Sequence, residues 1–258
     1  MRITIVTPSL NQARFLPRTL ESVLSQRGDF ELEYLVQDGG SRDGTQEVLR
    51  RYDGRLRWRS EVDGGQADAV NRVLREATGE VVGWVNSDDL LRPGALERVR
   101  RAFQEDAALL WVHGGCDIVD EEDQVIRRWI SGYKAFRCRH FSRRSLLVEN
   151  YVSQMTVFWR RSVHERIGYL DPALRYTFDY DFWLRLAALG SPRYLPEPLA
   201  AFRWYPDSKS GAEFGRQFAE DYQVFLRHAP DEPVLRARKR LRTAQITAAY
   251  RLLRSLRS

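Results

Sequence analysis

Two adjacent carboxylates, Asp88 and Asp89, follow the apolar run Val81-Val82-Gly83-Trp84-Val85 and precede a Pro93-Gly94 turn. Val and Trp in such a run suit a central parallel strand, and the carboxyl end of that strand is where open α/β sheets bind ligands. Neighbouring carboxylates repel unless a cation neutralises them, and their hard oxygens suit Mg2+ or Mn2+. The same pair would also serve as a solvated cap for a helix beginning near Gly94. On this stretch alone both readings stand.

Other polar clusters close strand-like runs. Thr7-Pro8-Ser9 ends the first, and Asp38-Gly39-Gly40-Ser41-Arg42-Asp43-Gly44-Thr45 ends the second. Glycines there let the backbone approach a ligand, and Asp38 can accept hydrogen bonds from a base or sugar ring, whereas Asp43 reads as a helix cap. Asp63-Gly64-Gly65-Gln66-Ala67-Asp68 leads into a helix on which Asp68 and Asn71 share a face, turned either to the crevice or to water. His113, His140, His164 and His228 lack metal-ligand spacing and read as structural or surface residues. With only Cys116 and Cys138, a cysteine zinc site is excluded and a reduced compartment is the economical reading.

The elements that must carry these residues alternate in type. Strands are expected at 3–7, 32–37, 56–59 and 81–85, and helices at 13–26, 45–52, 66–77 and 95–103. This rhythm implies a parallel sheet with right-handed crossovers. Later strands are expected at 110–119, 124–130 and 156–160, with an acidic turn Asp120-Glu121-Glu122-Asp123 between the first two. Basic and aromatic residues from Tyr133 to Arg144 read as a loop or lid, and a helix is expected at 179–189. Proline-punctuated chain follows from Pro192 to Pro206, then helices at 211–228 and 233–256.

The 258 residues, 43% hydrophobic and 29% charged, suit one soluble domain with appendages. No apolar run reaches the roughly 18 residues that suggest a membrane span. The N-terminus enters a strand at once, without an export signal, so a cytoplasmic location is expected. The net charge of +6 resides in a tail: residues 234–258 hold eight Arg and Lys and no acid, and the remainder has 33 basic against 35 acidic residues. Leu241, Ile246, Ala249, Leu252, Leu253 and Leu256 lie among those arginines. Such a helix can lie on the inner face of an anionic membrane, or pack on the domain or a partner copy with a solvated basic face.

The segments TPSLNQARFLPRTLESVLSQ, VQDGGSRDGT, DGGQADAVNRVLREATGEVVGWVNSDDL, YTFDYDFWLRL and FRWYPDSKSG, spread in order from Thr7 to Gly211, resemble the inverting glycosyltransferases of family 2. The resemblance implies a GT-A fold: an α/β, Rossmann-like, mostly parallel sheet flanked by helices. It would comprise a nucleotide-sugar-binding half (1–108) and an acceptor-binding half (109–210), followed by a helical extension (211–258). It further implies that Thr7, Pro8 and Asp38 hold the nucleoside of a UDP-, GDP- or dTDP-sugar, with Asp68 and Asn71 on the donor side. Asp88 would lie near the ribose or a divalent cation, Asp89 on that cation, and Arg203 and Ser208 in a loop over the diphosphate. Asp179 matches the family's base, although an N-cap role suits it too and Asp181 is the nearby competitor. A saccharide or lipid-linked acceptor in cell-surface polysaccharide synthesis is implied, and no nucleic acid is expected.

Three positions depart from the family pattern: Gly39 replaces a second Asp, Phe178 replaces a Glu beside the base, and Tyr205 replaces a His. Among rival classes, a nucleotidyltransferase would carry a Gly-rich, basic phosphate loop after the first strand, and Thr7-Pro8-Ser9-Leu10-Asn11-Gln12 is not one. A non-enzymatic polyanion binder would act through the basic tail.

Overall fold

The apolar runs at 3–7 and 81–85 become strands buried on both faces. In the computed structural model, which describes residues 1–205 and 214–255, β1 (Arg2–Ser9) is buried from Ile3 onward. β2 (Glu31–Asp38), β3 (Arg57–Ser60) and β4 (Val81–Trp84) lie parallel to it or to one another. Their helices are α1 (Leu16–Leu24), α2 (Thr45–Arg50), α3 (Gln66–Glu76) and, after the short β5 (Leu90–Leu91), α4 (Ala95–Glu105). Pro17 in the first turn of α1 fits the helix start, and Leu16, Leu20 and Val23 form its buried face.

The second half extends the same sheet. β6 (Trp111–Val119) precedes β7 (Val125–Ile126), α5 (Arg128–Arg139), α6 (Arg143–Val148), β8 (Phe158–Arg160), α7 (His164–Ile167) and α8 (Phe178–Leu189). β9 (Arg193–Arg203), α9 (Phe214–His228) and α10 (Pro233–Ser255) follow. The described strands pair in the order β3-β2-β1-β4-β8-β6-β9-β5, with β7 on β6. β8 runs antiparallel to β4 and β6, and β9 runs parallel to β6. Ser9, Asp38 and Ser60 stand in one register row, so β1, β2 and β3 end together at one edge of the sheet. Trp84, Trp111, Trp159 and Trp183 are almost wholly buried among the core side chains, and each stabilises the fold by roughly 2–3 kcal/mol through apolar burial.

Three expectations are corrected. The strand expected at 124–130 ends at Ile126, and the presumed lid at 133–144 is helical through Arg139, with α6 started by a Ser142/Ser145 capping box. Only Cys138 of α5 is buried, and Trp129 and Phe136 are 68% and 60% exposed, so the helix has no apolar stripe to betray it. The proline-punctuated stretch contains a long strand instead. Pro196 and Pro198 fall where the β6–β9 ladder slips at Gly114 and Gly115, and a side chain at Gly115 would strike the Pro196 and Glu197 backbone.

The extension packs on the domain. Val224, Phe225 and Leu235 are buried, Arg242 pairs with Glu149, and α10 meets α6. Among the described residues no helix is long and apolar enough to cross a membrane.

Candidate active site

β4 delivers the acidic pair to the row where β1 to β3 end. Val85 N–H donates to the Val6 carbonyl at 3.0 Å, and the chain turns as Asp89 N–H donates to Asn86 at 3.1 Å. The Asp89 side chain is fully buried; its carboxylate accepts from the Arg203 N–H and from the Asn86 amide, each at 3.1 Å. Asp88, partly exposed, accepts from the Tyr205 hydroxyl at 2.8 Å. The Thr19 hydroxyl lies 2.9 and 2.8 Å from the carbonyls of Ser87 and Asp89, pinning the turn to α1.

Burial raises the pKa of both acids, and for Asp89 the charge of Asp88 adds to it. A pair that resists ionisation in the protein alone gains most from a cation, so the donor set fits a hard divalent ion. Among the described residues no group of three or more His, Cys, Asp or Glu is arranged to hold a metal. Asp88 and Asp89 would therefore share such an ion with oxygens from a ligand or water.

The expected nucleoside residues have internal partners. Thr7 is buried with its hydroxyl 3.1 Å from that of Tyr34, and Pro8 is buried beside it in β1. Asp38 is fully buried and accepts from Gly40 N–H (3.2 Å), Ser41 N–H (2.9 Å), the Ser41 hydroxyl (2.5 Å) and the Ser60 hydroxyl (2.6 Å). It holds the glycine loop in shape. The Asp63 carboxylate occupies the space that a side chain at Gly39 would need. Asp68 accepts from Gly64 N–H and pairs with Arg72, both at 2.9 Å, organising the loop before α3.

Asn71 is a correction. It is buried and clamps both backbone groups of Leu170, at 2.8 and 3.0 Å, so its face turns to the core rather than to the crevice. Arg203 is another. It ends β9 instead of lying in a loop, is wholly buried, and directs its guanidinium to Asp123 and the Asp88 carbonyl, 4.7 Å from the Phe15 ring. Ser208 lies outside the described residues.

Asp179 sits in the first turn of α8 and accepts from Tyr180 N–H at 2.7 Å. The preceding residue, Phe178, stacks on Trp84 with ring centroids 5.5 Å apart, which brings this helix start against the strand that leads to the acidic pair. Asp181 is occupied by Arg185 and His228. Sequence reasoning missed the polar hub at Asn86, whose amide joins Gln66, Trp84, Asp89 and Gln154. Its place in Asn86-Ser87-Asp88-Asp89 was the available signal.

The family model of glycosyl transferase family 2 matches residues 4–167. Chondroitin synthase of Pasteurella multocida (strain Pm70) is 30% identical over 196 residues, covering 75% of this chain and 20% of its own. Hyaluronan synthase of Pasteurella multocida is equally similar, at 30% over 196 residues, 75% of this chain and 19% of its own. The chain thus spans about one fifth of the length of these relatives. Among solved structures, S. aureus TarS 1–349 in complex with UDP-GlcNAc aligns with a TM-score of 0.67 at 16% identity, covering 95% of this chain and 71% of its own. The mannosyltransferase PcManGT of Pyrobaculum calidifontis, in complex with GDP-Man and Mn2+, aligns at 0.64 and 19% identity, covering 96% and 75%. These neighbours share the GT-A fold with the sheet described above. Matched over more than half its length, the chain belongs to glycosyl transferase family 2.

Proposed function

We propose that this chain is an inverting glycosyltransferase that moves a sugar from a nucleotide-diphosphate sugar to a hydroxyl of a saccharide or lipid-linked acceptor in cell-surface polysaccharide synthesis. The observation that carries this reading is the stacking of Phe178 on Trp84, which joins the helix of Asp179 to the strand that leads to Asp88 and Asp89. Asp179 takes the proton from the acceptor hydroxyl as its oxygen attacks the anomeric carbon. The bond to the diphosphate breaks on the opposite face, and its electron pair leaves with the nucleoside diphosphate. Asp88 and Asp89 hold a divalent cation, Mn2+ or Mg2+, which when bound offsets the charge of the diphosphate. Thr7, Pro8, Asp38 and Asp68 shape the nucleoside side of the cleft, and Arg203 holds the Asp88–Asp89 turn.

Solved neighbours support a donor of this class, since two of them hold the nucleotide sugars UDP-GlcNAc and GDP-Man and another holds UDP. Contact with the cytoplasmic membrane face through 234–258 belongs to the same proposal, supported by Val234 and Leu241, 66% and 62% exposed beside Arg238 and Arg240.

A thermal-shift panel of UDP-, GDP- and dTDP-sugars with Mg2+ or Mn2+ identifies the donor, because a ligand of the native state raises its apparent stability. Asp179→Asn should then bind that donor as wild type does and lose transfer. Retained transfer would remove Asp179 from the base role. Asp89→Ala should lose the cation-dependent part of donor binding, and equal donor affinity with and without Mn2+ in wild type would remove the metal from the proposal.

A further inference from the structure

The approach to Asp179 is held from outside the segment that the family model matches. Thr177 occupies the N-cap position of α8 and makes no capping bond with its own side chain. Its place is taken by Glu220, in the middle of α9. One Glu220 oxygen accepts from Tyr176 N–H at 2.6 Å, Thr177 N–H at 2.7 Å and the Thr177 hydroxyl at 2.9 Å; the other accepts from Arg175 N–H at 2.8 Å. Three successive backbone amides thus converge on one carboxylate, which fixes the chain direction two residues before Asp179.

A second contact grips the other side. His228, at the end of α9, lies with Nε2 2.9 Å from Asp181, two residues after Asp179. Asp179 is therefore bracketed by two side chains of one helix, Glu220 before it and His228 behind it. Phe178, a hydrocarbon side chain stacked on Trp84, offers no carboxylate for this purpose. α9 is itself anchored by the buried Val224 and Phe225 and by Asp221, which pairs with the buried Lys239 of α10. Burial opposes the charge on Glu220, but the amides of Arg175, Tyr176 and Thr177 and the Thr177 hydroxyl outweigh it and hold the carboxyl below its ordinary range.

We propose that Glu220 is a positioning residue for the transfer reaction: by capping the start of α8 from a separate helix, it holds the Asp179 carboxylate in line with the acceptor hydroxyl. The inference rests on the reading of Asp179 as the base. A base displaced by about 1 Å can lose on the order of a hundredfold in rate while the donor is bound as before.

The test uses the full chain and the nucleotide sugar that stabilises it most, with nucleoside diphosphate release as the readout. Glu220→Ala should lower kcat by about ten- to a hundredfold with the donor KM changed less than about twofold. Glu220→Gln, which keeps the oxygen that serves Tyr176 and Thr177, should recover most of that loss; it also serves if the alanine variant folds poorly. Measured against the residual nucleoside diphosphate release of Asp179→Asn, adding Glu220→Ala should cause no further loss, since two residues acting through one step are not additive. The inference is overturned if kcat falls only in step with the folded fraction, if the donor KM rises as much as kcat falls, or if the two losses multiply. The two ideas fail separately. Transfer by Asp179→Asn sinks the base reading, whereas an inactive Asp179→Asn beside a fully active Glu220→Ala sinks only the positioning role.

Discussion

Phe178 and Trp84 stack with ring centroids 5.5 Å apart and planes 20° from parallel, both nearly free of solvent. One ring belongs to the first turn of α8 and the other to the end of β4, so the two acidic segments of the site share one apolar joint. Such pairs contribute about 0.5–1.5 kcal/mol beyond their burial, and truncating a buried Phe to Ala costs about 3–5 kcal/mol. Phe178→Ala should therefore lower the urea midpoint and reduce transfer more than donor affinity. A variant with lost stability but wild-type turnover per folded molecule would deny the joint a part in the reaction.

Asn71 offers a test of orientation. Removing its amide strands the N–H and carbonyl of Leu170, a residue 3% exposed, and each buried group left unpaired costs about 1–3 kcal/mol. Asn71→Ala should lose about 2–4 kcal/mol in chemical denaturation with the donor KM unchanged. A raised KM at unchanged stability would return Asn71 to the donor side.

These two residues also show what could be read in advance. The first four strands, their helices and the acidic pair follow from apolar runs, turn residues and ordered motifs, all local signals. The direction of Asn71 depends on Leu170, far along the chain, and that of Arg203 on Asp123 and the Asp88 carbonyl. Helix α5 was hidden because its large apolar residues face solvent, and β9 because its prolines sit at a slip in the ladder that only β6 reveals. Glu220 carries no local mark at all, since its partners are three amides on another element.

Acid should destabilise the fold through His113. Its ring is buried among Trp111, Phe141 and Tyr194, without a hydrogen-bond partner among the described residues, and burial lowers its pKa to about 3. The unfolded chain binds that proton near pH 6.5, so stability is fully present above about 6.5 and falls by about 1.4 kcal/mol per pH unit on the way down. Burial also lowers the pKa of His164, which adds to the fall. His113→Leu should flatten the slope between about pH 6 and 4 by roughly one proton, as read from denaturation at several pH values. An unchanged slope would place that proton uptake elsewhere.

The Lys239–Asp221 pair is almost entirely enclosed, with the ammonium 4.9 Å from the centre of the Tyr180 ring. Lys239→Met leaves a carboxylate without its partner and should cost about 3–5 kcal/mol, whereas adding Asp221→Leu should recover most of it. A double-mutant cycle reads the coupling; independent, additive losses would mean that the two charges do not depend on each other.

The bracket around Asp179 bears on how such sequences can be recombined. The family match ends at residue 167, so Asp179 and the two side chains that flank it, those of Glu220 and His228, all lie beyond it. A chimera that exchanged everything after residue 213 for the equivalent part of another member would remove both grips while leaving every motif in the first half intact. Such an exchange should leave the donor side of the site whole and cost turnover, because the acid and the side chains that flank it come from different parts of the chain.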